Sequence, residues 1–415
     1  MAEKGYGVRK MGEIDFEKMS EQEAKNYFDK NYNIGYYDEN LPKPSNELIF
    51  KHYVSSSLIY AFAAMLFLFN PFYINTFGKM PVKIPIIIIF LCYLVIAPII
   101  YFIFKPKTIY VSHSIEVMNY ILKLIKRENL KKNPTAAEFL EWLTPTYKQK
   151  QSIILYFLKF FFAPQLIIWT IGHYTSFAKE IKNFIIFNSA VKTQGITSSL
   201  IFATPELLVR YRNIIYLILF NLLYFFDCFF FAIGYCTEMT FLRNRIRTVE
   251  SSAAGLLFCL MCYPPFNGAT AKFLQWNHSE IAMNVSSNPL SIANWIVYII
   301  GLFLIFIYVS ASVALFTKAS NLTNRGTVKI FPYNIIRHPA YATKIAVWWL
   351  GSISAIIFMY KAGNYTLIPL YMLAALCWSF IYYMRAITEE RHLSLDPDYR
   401  AYCKKVKYRF IPFVW

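Results

Sequence analysis

Charge is scarce in this chain: Asp, Glu, Lys and Arg make up 16% of 415 residues, whereas 57% are apolar, with 38 Phe and 32 Tyr. That shortage excludes a disordered chain and also the two or three soluble domains that the length alone suggests. Cysteine offers no framework. Seven is an odd number, and Cys92, Cys228, Cys236, Cys259, Cys262 and Cys377 stand in apolar runs where a small buried hydrophobe fits, so no disulfide scaffold is implied. The one Cys-x-x-Cys, Cys259 and Cys262, has no second pair and no nearby His, which reads as packing and not as a metal site. A basic stripe with interleaved aromatics is also missing despite the net charge of +18, so nucleic acid is not an expected partner. No internal repeat or low-complexity tract is visible. Met1 to Asn46 lacks the apolar core of a signal peptide and the Arg-rich pattern of a transit peptide, leaving the first apolar span as the expected targeting signal.

What the chain does contain is apolar runs of roughly 20 residues, the helical length that crosses about 30 Å of hydrocarbon. Clear spans are expected at Tyr53 to Phe77, Ile84 to Phe104, Ser152 to Ile171, Ile214 to Cys236, Ile292 to Phe316, Ala342 to Tyr360 and Tyr365 to Met384. An eighth, Ala253 to Phe273, is interrupted by Tyr263, Pro264 and Pro265 and then by Asn267 and Gly268; it reads as a kinked span or a re-entrant hairpin. Charge favours a crossing. With it, Lys105 to Lys150, Arg243 to Arg247, Lys318 to Lys344 and Arg385 to Arg409 fall inside, and together they hold far more Lys and Arg than Lys79 to Lys83, Lys179 to Arg212, Lys272 and Lys361, which fall outside. The expected fold class is therefore an all-α integral membrane protein of about eight transmembrane helices with both termini cytoplasmic, in a bacterial inner membrane or endoplasmic reticulum.

Three regions follow. Residues 1–50 are a cytoplasmic lead, with a capping-box pattern at Ser20 and Glu23. Residues 51–289 are a transmembrane region of unassigned role. Within it, Ile115, Met118, Leu122 and Ile125 recur at helical spacing among Lys123, Lys126 and Arg127, and Asn133 with Pro134 opens a second short helix carrying Phe139, Trp142 and Leu143. This stretch, 113–145, predicts interfacial helices, or equally a small cytoplasmic hairpin. Phe184 to Ala203, apolar but broken by Asn188, Lys192 and Gln194, is expected to be extracytoplasmic or re-entrant. Asn277, Asn284 and Asn364 head glycosylation sequons that chance also produces in an Asn-rich chain. Asp227, amid Phe225, Phe226 and Phe229, is an expensive ionisable group whose place is the protein interior, structural or functional. His52, His113 and His173 stand at span ends and read as interfacial.

Residues 290–415 carry the chemistry. Arg337-His338-Pro339-Ala340-Tyr341 stands at the entrance to one span, and the next span returns to the same side with Arg385, Glu389, Glu390, Arg391 and His392. Pro339 suits the first position of a helix and biases His338 to an extended conformation, which frees the helix N-terminus, with Arg337, to face a carboxylate or phosphate. Glu389 and Glu390 suit ribose hydroxyls or a cationic amino group. The plain alternative is a solvated helix end with an Arg385–Glu389 pair.

The Arg-His-Pro-x-Tyr start, the helical hairpin, Glu-Glu-x-x-Leu, the pair Tyr399 and Tyr402 and the late Pro412 resemble the C-terminal module of the isoprenylcysteine carboxyl methyltransferase and phospholipid methyltransferase superfamily. The resemblance covers under a third of the chain, and Thr343 and Phe331 stand where that family commonly has Gly. It implies that S-adenosyl-L-methionine binds from the cytosol to Arg337, His338, Pro339, Tyr341, Glu389 and Glu390, with a lipophilic, isoprenoid or lipid substrate arriving through the bilayer. Catalysis is then expected from Arg385, orienting an acceptor carboxylate, or from Glu390, taking the proton of an amine; Trp348, Trp349 and Tyr382 read first as lipid-facing packing and second as tunnel lining. The tail from Tyr402 to Pro412 is also similar to the ends of membrane sterol reductases, which bind NADPH. A degenerate, lipid-binding module is the non-enzymatic reading.

Overall fold

The computed structural model describes residues 42–76, 83–193, 204–239, 242–268 and 290–412, with a few isolated positions between these stretches and near the N-terminus. Near the start, β1 (Lys10–Met11) and β2 (Ile14–Asp15) form a two-residue antiparallel ribbon. Ser20 and most of the helix expected after it lie outside the described residues. Among the described residues, seven helices are long and apolar enough to cross a membrane: α1 (Asn46–Phe69), α3 (Lys83–Phe104), α6 (Tyr147–Thr193), α7 (Pro205–Cys236), α9 (Ile292–Leu315, prolonged to Lys318 by a 3-10 turn), α10 (Pro339–Lys361) and α11 (Ile368–Leu393). These are the seven spans that the apolar runs predict. A short α2 (Pro71–Thr76) follows α1.

Two helices contain a mid-span proline, and the same device repairs each. Pro98 deprives the Leu94 carbonyl of its helical partner, and Pro164 does the same to Phe160. The Tyr53 hydroxyl of α1 donates to Leu94 O at 2.9 Å, and the Tyr73 hydroxyl of α2 donates to Phe160 O at 3.2 Å. A buried carbonyl left without a donor costs about 1–3 kcal/mol, so these bonds tie the N-terminal helices to the helices they splint.

The 47 residues of α6 amount to about 70 Å of helix, more than twice the hydrocarbon thickness. Of the stretch Phe184 to Ala203, expected to be extracytoplasmic or re-entrant, the part to Thr193 does not re-enter but continues α6, and most of the remainder lies outside the described residues. The reason is periodicity: Phe184, Phe187 and Val191 share a face and pack on Tyr211, Ile214 and Ile218 of α7, while Asn188 and Lys192 point elsewhere.

α7 and α9 run in the same direction, since Tyr216 meets Tyr298, Tyr224 meets Tyr308 and Gly234 meets Ala319 in ascending order. The chain must return between them, and α8 (Ala253–Leu260) with a turn that includes Pro264 and Pro265 makes the described part of that return. Alongside, Gln151 of α6 binds Val249 N and Ser251, and Gln165 binds Pro264 O, so the descending strand of chain follows about 21 Å of α6. Of the expected span at Ala253 to Phe273, residues 253–268 are described and are interrupted, as the prolines imply: the eight residues of α8 give only about 12 Å before the turn, and 269–273 lie outside the described residues.

One face of the bundle collects most connections. Lys105 bonds Asn46 at the start of α1, His113 bonds Ser152, and β3 (Thr248–Val249) pairs with β4 (Thr323–Asn324). Arg247 and Arg391 pair with Asp396 and Glu250, and the tail helix α12 (Pro397–Lys405) packs there as well. On the same side lie α4 (His113–Lys126) and α5 (Ala136–Leu143), with exposed Ile125, Phe139 and Leu140; α5 is opened by Thr135 and Glu138 in a reciprocal capping box, one residue after Pro134.

Candidate functional site

A cavity of about 450 Å³ lies behind that face, enclosed by α6, α7, α9, α10, α11 and the segment 318–341. Its volume falls within the range of small-molecule and cofactor sites. The floor is set by Arg325, 3% exposed, whose guanidinium donates to Gly234 O (2.6 Å), Ser320 Oγ (2.8 Å) and the Asn244 carbonyl. Only glycine fits at 234, because a Cβ there would stand 2.0 Å from Ala319 O.

The helix start at Pro339 is pinned from behind. The backbone N–H of Arg337 donates to Tyr408 O at 2.9 Å and that of His338 to Arg409 O at 3.0 Å, laying the tail along the motif. Glu390 is the centre of this latch. One carboxylate oxygen accepts from Arg337 (2.9 Å) and His338 Nε2 (3.1 Å), the other from Arg409 Nε (2.8 Å). Glu390 and Pro339 do not line the cavity, whereas Arg337, His338, Ala340, Tyr341, Arg385 and Glu389 do. The Arg337 guanidinium, expected to meet an anion, is turned onto Glu390 and Lys407 O. The two N–H groups that follow Pro339, on Ala340 and Tyr341, have no intrahelical acceptor.

Glu389, one residue and about 100° away from Glu390 on α11, behaves differently. It accepts from the Tyr341 hydroxyl at 2.7 Å through one oxygen and has no ion pair among the described residues. The Arg385–Glu389 pair expected of a solvated helix end does not form. Arg385, 4% exposed, instead donates to Asn321 Oδ1 at 3.2 Å, its guanidinium 4.9 Å from the Tyr341 ring, 5.1 Å from Tyr382 and 5.6 Å from Tyr263. Among the described residues this caged Arg has no carboxylate partner, so its buried charge meets only three ring faces and an amide oxygen. Burial pushes the hydroxyls of Tyr333, Tyr399 and Tyr402, which also line the cavity, above the ordinary tyrosine range, so they remain neutral donors.

Tyr382 lines the cavity; Trp348 packs on Trp378 and Tyr382, and Trp349 donates to Ser379, both between α10 and α11. His52 and His113 are structural: His52 bonds Ser112, and His113 bonds Ser152 and the Ile246 carbonyl. His173 is not an isolated interfacial residue, since it bonds Asn221 (3.0 Å), stacks on Tyr224 and lines the cavity. Asp227 lines it too, with Tyr308, Ser312 and Lys344, of which only Asp227 stood out in the sequence. Lys344 carries the same signal, an ionisable group inside an apolar helix. Among the described residues, no group of three or more His, Cys, Asp or Glu is placed to hold a metal ion. The chain matches no family model, no curated protein and no solved structure.

Proposed function

We propose that this chain is an S-adenosylmethionine-dependent membrane methyltransferase for a lipophilic acceptor. In this reading the bundle crosses the membrane eight times, the interrupted return through α8 being the extra crossing, and the cavity lies at the cytoplasmic face. The opposed ends demanded by parallel α7 and α9 support the crossing count, and the Lys and Arg excess of the segments gathered at that face supports its orientation. The observation that carries the chemistry is a single cavity that joins Arg385, Glu389 and the start of α10 to an aromatic interior.

The residues fit the cofactor. Caged Arg385 suits the carboxylate of its amino-acid end, and the unengaged oxygen of Glu389 suits ribose hydroxyls or the ammonium. When bound, the cofactor supplies an electrophilic methyl group on a sulfonium. The protein's own part is positioning and the exclusion of water: Tyr341, Tyr382 and Tyr263 wall the Arg385 head, and the latch at Glu390 holds the start of α10 against the tail. Glu390, which does not line the cavity and is held by Arg337, His338 and Arg409, acts as a positioning residue; the proton-accepting role goes to Glu389, which does line it.

Isothermal titration of the detergent-purified full chain with S-adenosylhomocysteine and, separately, NADPH tests this. Saturable S-adenosylhomocysteine binding, weakened at least about tenfold by Arg385→Ala, is expected. NADPH binding alone would place the protein with the reductases, and silence for both would leave a lipid-binding protein without a cofactor.

A further inference from the structure

Deeper in the same cavity is a polar cluster that the cofactor does not use. Asp227, nine residues before the end of α7 and 7% exposed, accepts from the Tyr308 hydroxyl at 2.8 Å and from the Ser312 hydroxyl, both on α9. Lys344, on the second turn of α10, donates to the Tyr224 hydroxyl at 3.2 Å, and its ammonium stands 4.9 Å from the Tyr308 ring and 5.2 Å from the Tyr224 ring. Tyr308 therefore touches both charges. Around them the wall is apolar and aromatic, with Leu166, Trp169, Phe220 and Phe231. Ionisable groups at this depth are costly, and here they face a cavity, the placement that marks a binding site.

The pairing dictates what the cluster accepts. One anion and one cation cancel, so the subsite has no net charge to offer a charged head. A carboxylate attracted by Lys344 is repelled by Asp227, and an ammonium meets the reverse. A hydroxyl has one O–H donor and two acceptor lone pairs, matching an acceptor and a donor together, and it enters from hydrocarbon at far less cost than an ion. We propose that Asp227, Tyr308 and Lys344 form a recognition subsite for the hydroxyl head of a lipophilic alcohol, which donates to Asp227, accepts from Lys344 and lays its chain against Trp169 and Phe220. The inference rests on the proposed function only in taking the cavity to be the acceptor's; recognition itself needs no cofactor.

The test compares three probes with one C15 isoprenoid chain and different heads, farnesol, farnesylamine and farnesoic acid, binding to the full chain in detergent at pH 7. Farnesol should bind saturably and about tenfold or more tighter than the other two. Asp227→Asn leaves Lys344 unbalanced and should move the preference towards the acid; Lys344→Gln should move it towards the amine. Tyr308→Phe should weaken farnesol without reordering the heads. Failure of all three probes to saturate, or one unchanged ranking in both charge variants, overturns the proposal, and if Asp227→Asn does not fold the Lys344→Gln ranking decides. S-adenosylhomocysteine is titrated into the unmodified protein in parallel. Farnesol selectivity without its binding would sink the methyltransferase reading and leave the subsite standing; its binding without head-group selectivity would do the opposite.

Discussion

Glu389 and Glu390 are chain neighbours of identical chemistry, yet they belong to different regions. Behind the start of α10, the latch has one carboxylate satisfied by Arg337, His338 and Arg409. In the cavity, Arg385 has phenol rings and an amide but no carboxylate, and Glu389 has one oxygen occupied. Buried charge that is saturated holds a fold together, because removing a partner strands the rest; buried charge left short of partners is available to a ligand.

The sharpest way to break this contrast is Glu390→Ala. It strands two guanidinium groups and should cost about 3–5 kcal/mol, read as a large fall in the thermal transition of the purified protein with loss of tail docking. Next comes acid. Burial, aided by Arg245, holds His113 down to about 4, against 6.5 when exposed. The neutral form is thus favoured by folding, so this stability is complete above pH 6.5 and lost as pH falls towards 4, at most about 3 kcal/mol. Stability measured across that window should drop in the native protein and drop less in His113→Gln. In the cavity, Glu389→Gln should change stability by less than about 1 kcal/mol while weakening S-adenosylhomocysteine about tenfold; a stability loss matching that of Glu390→Ala would erase the distinction. The smallest effect belongs to Tyr73→Phe, about 1 kcal/mol from one carbonyl bond, with no change in ligand affinity.

The seven spans were legible because run length alone encodes them, and the Arg337–Tyr341 and Glu389–Glu390 segments because both flank spans that end on one face. Three things were not. The far half of α6 is amphipathic, and a search for apolar runs passes over Phe184, Phe187 and Val191 among their polar neighbours. The division of labour between Glu389 and Glu390 depends on which side of α11 meets the tail, a tertiary fact. Lys344 counted among the basic residues flanking a span, although two turns of α10 carry it inside, where it is worth more as a site residue than as a topological signal.

The tyrosines that cap Pro98 and Pro164 bear on how far the molecule can be cut down. A protein trimmed to begin after Thr76 would keep α3 and α6 but lose Tyr53 and Tyr73, turning two bare carbonyls towards lipid. Helices α1 and α2 are therefore not a detachable appendage, since the helices that follow depend on their hydroxyls.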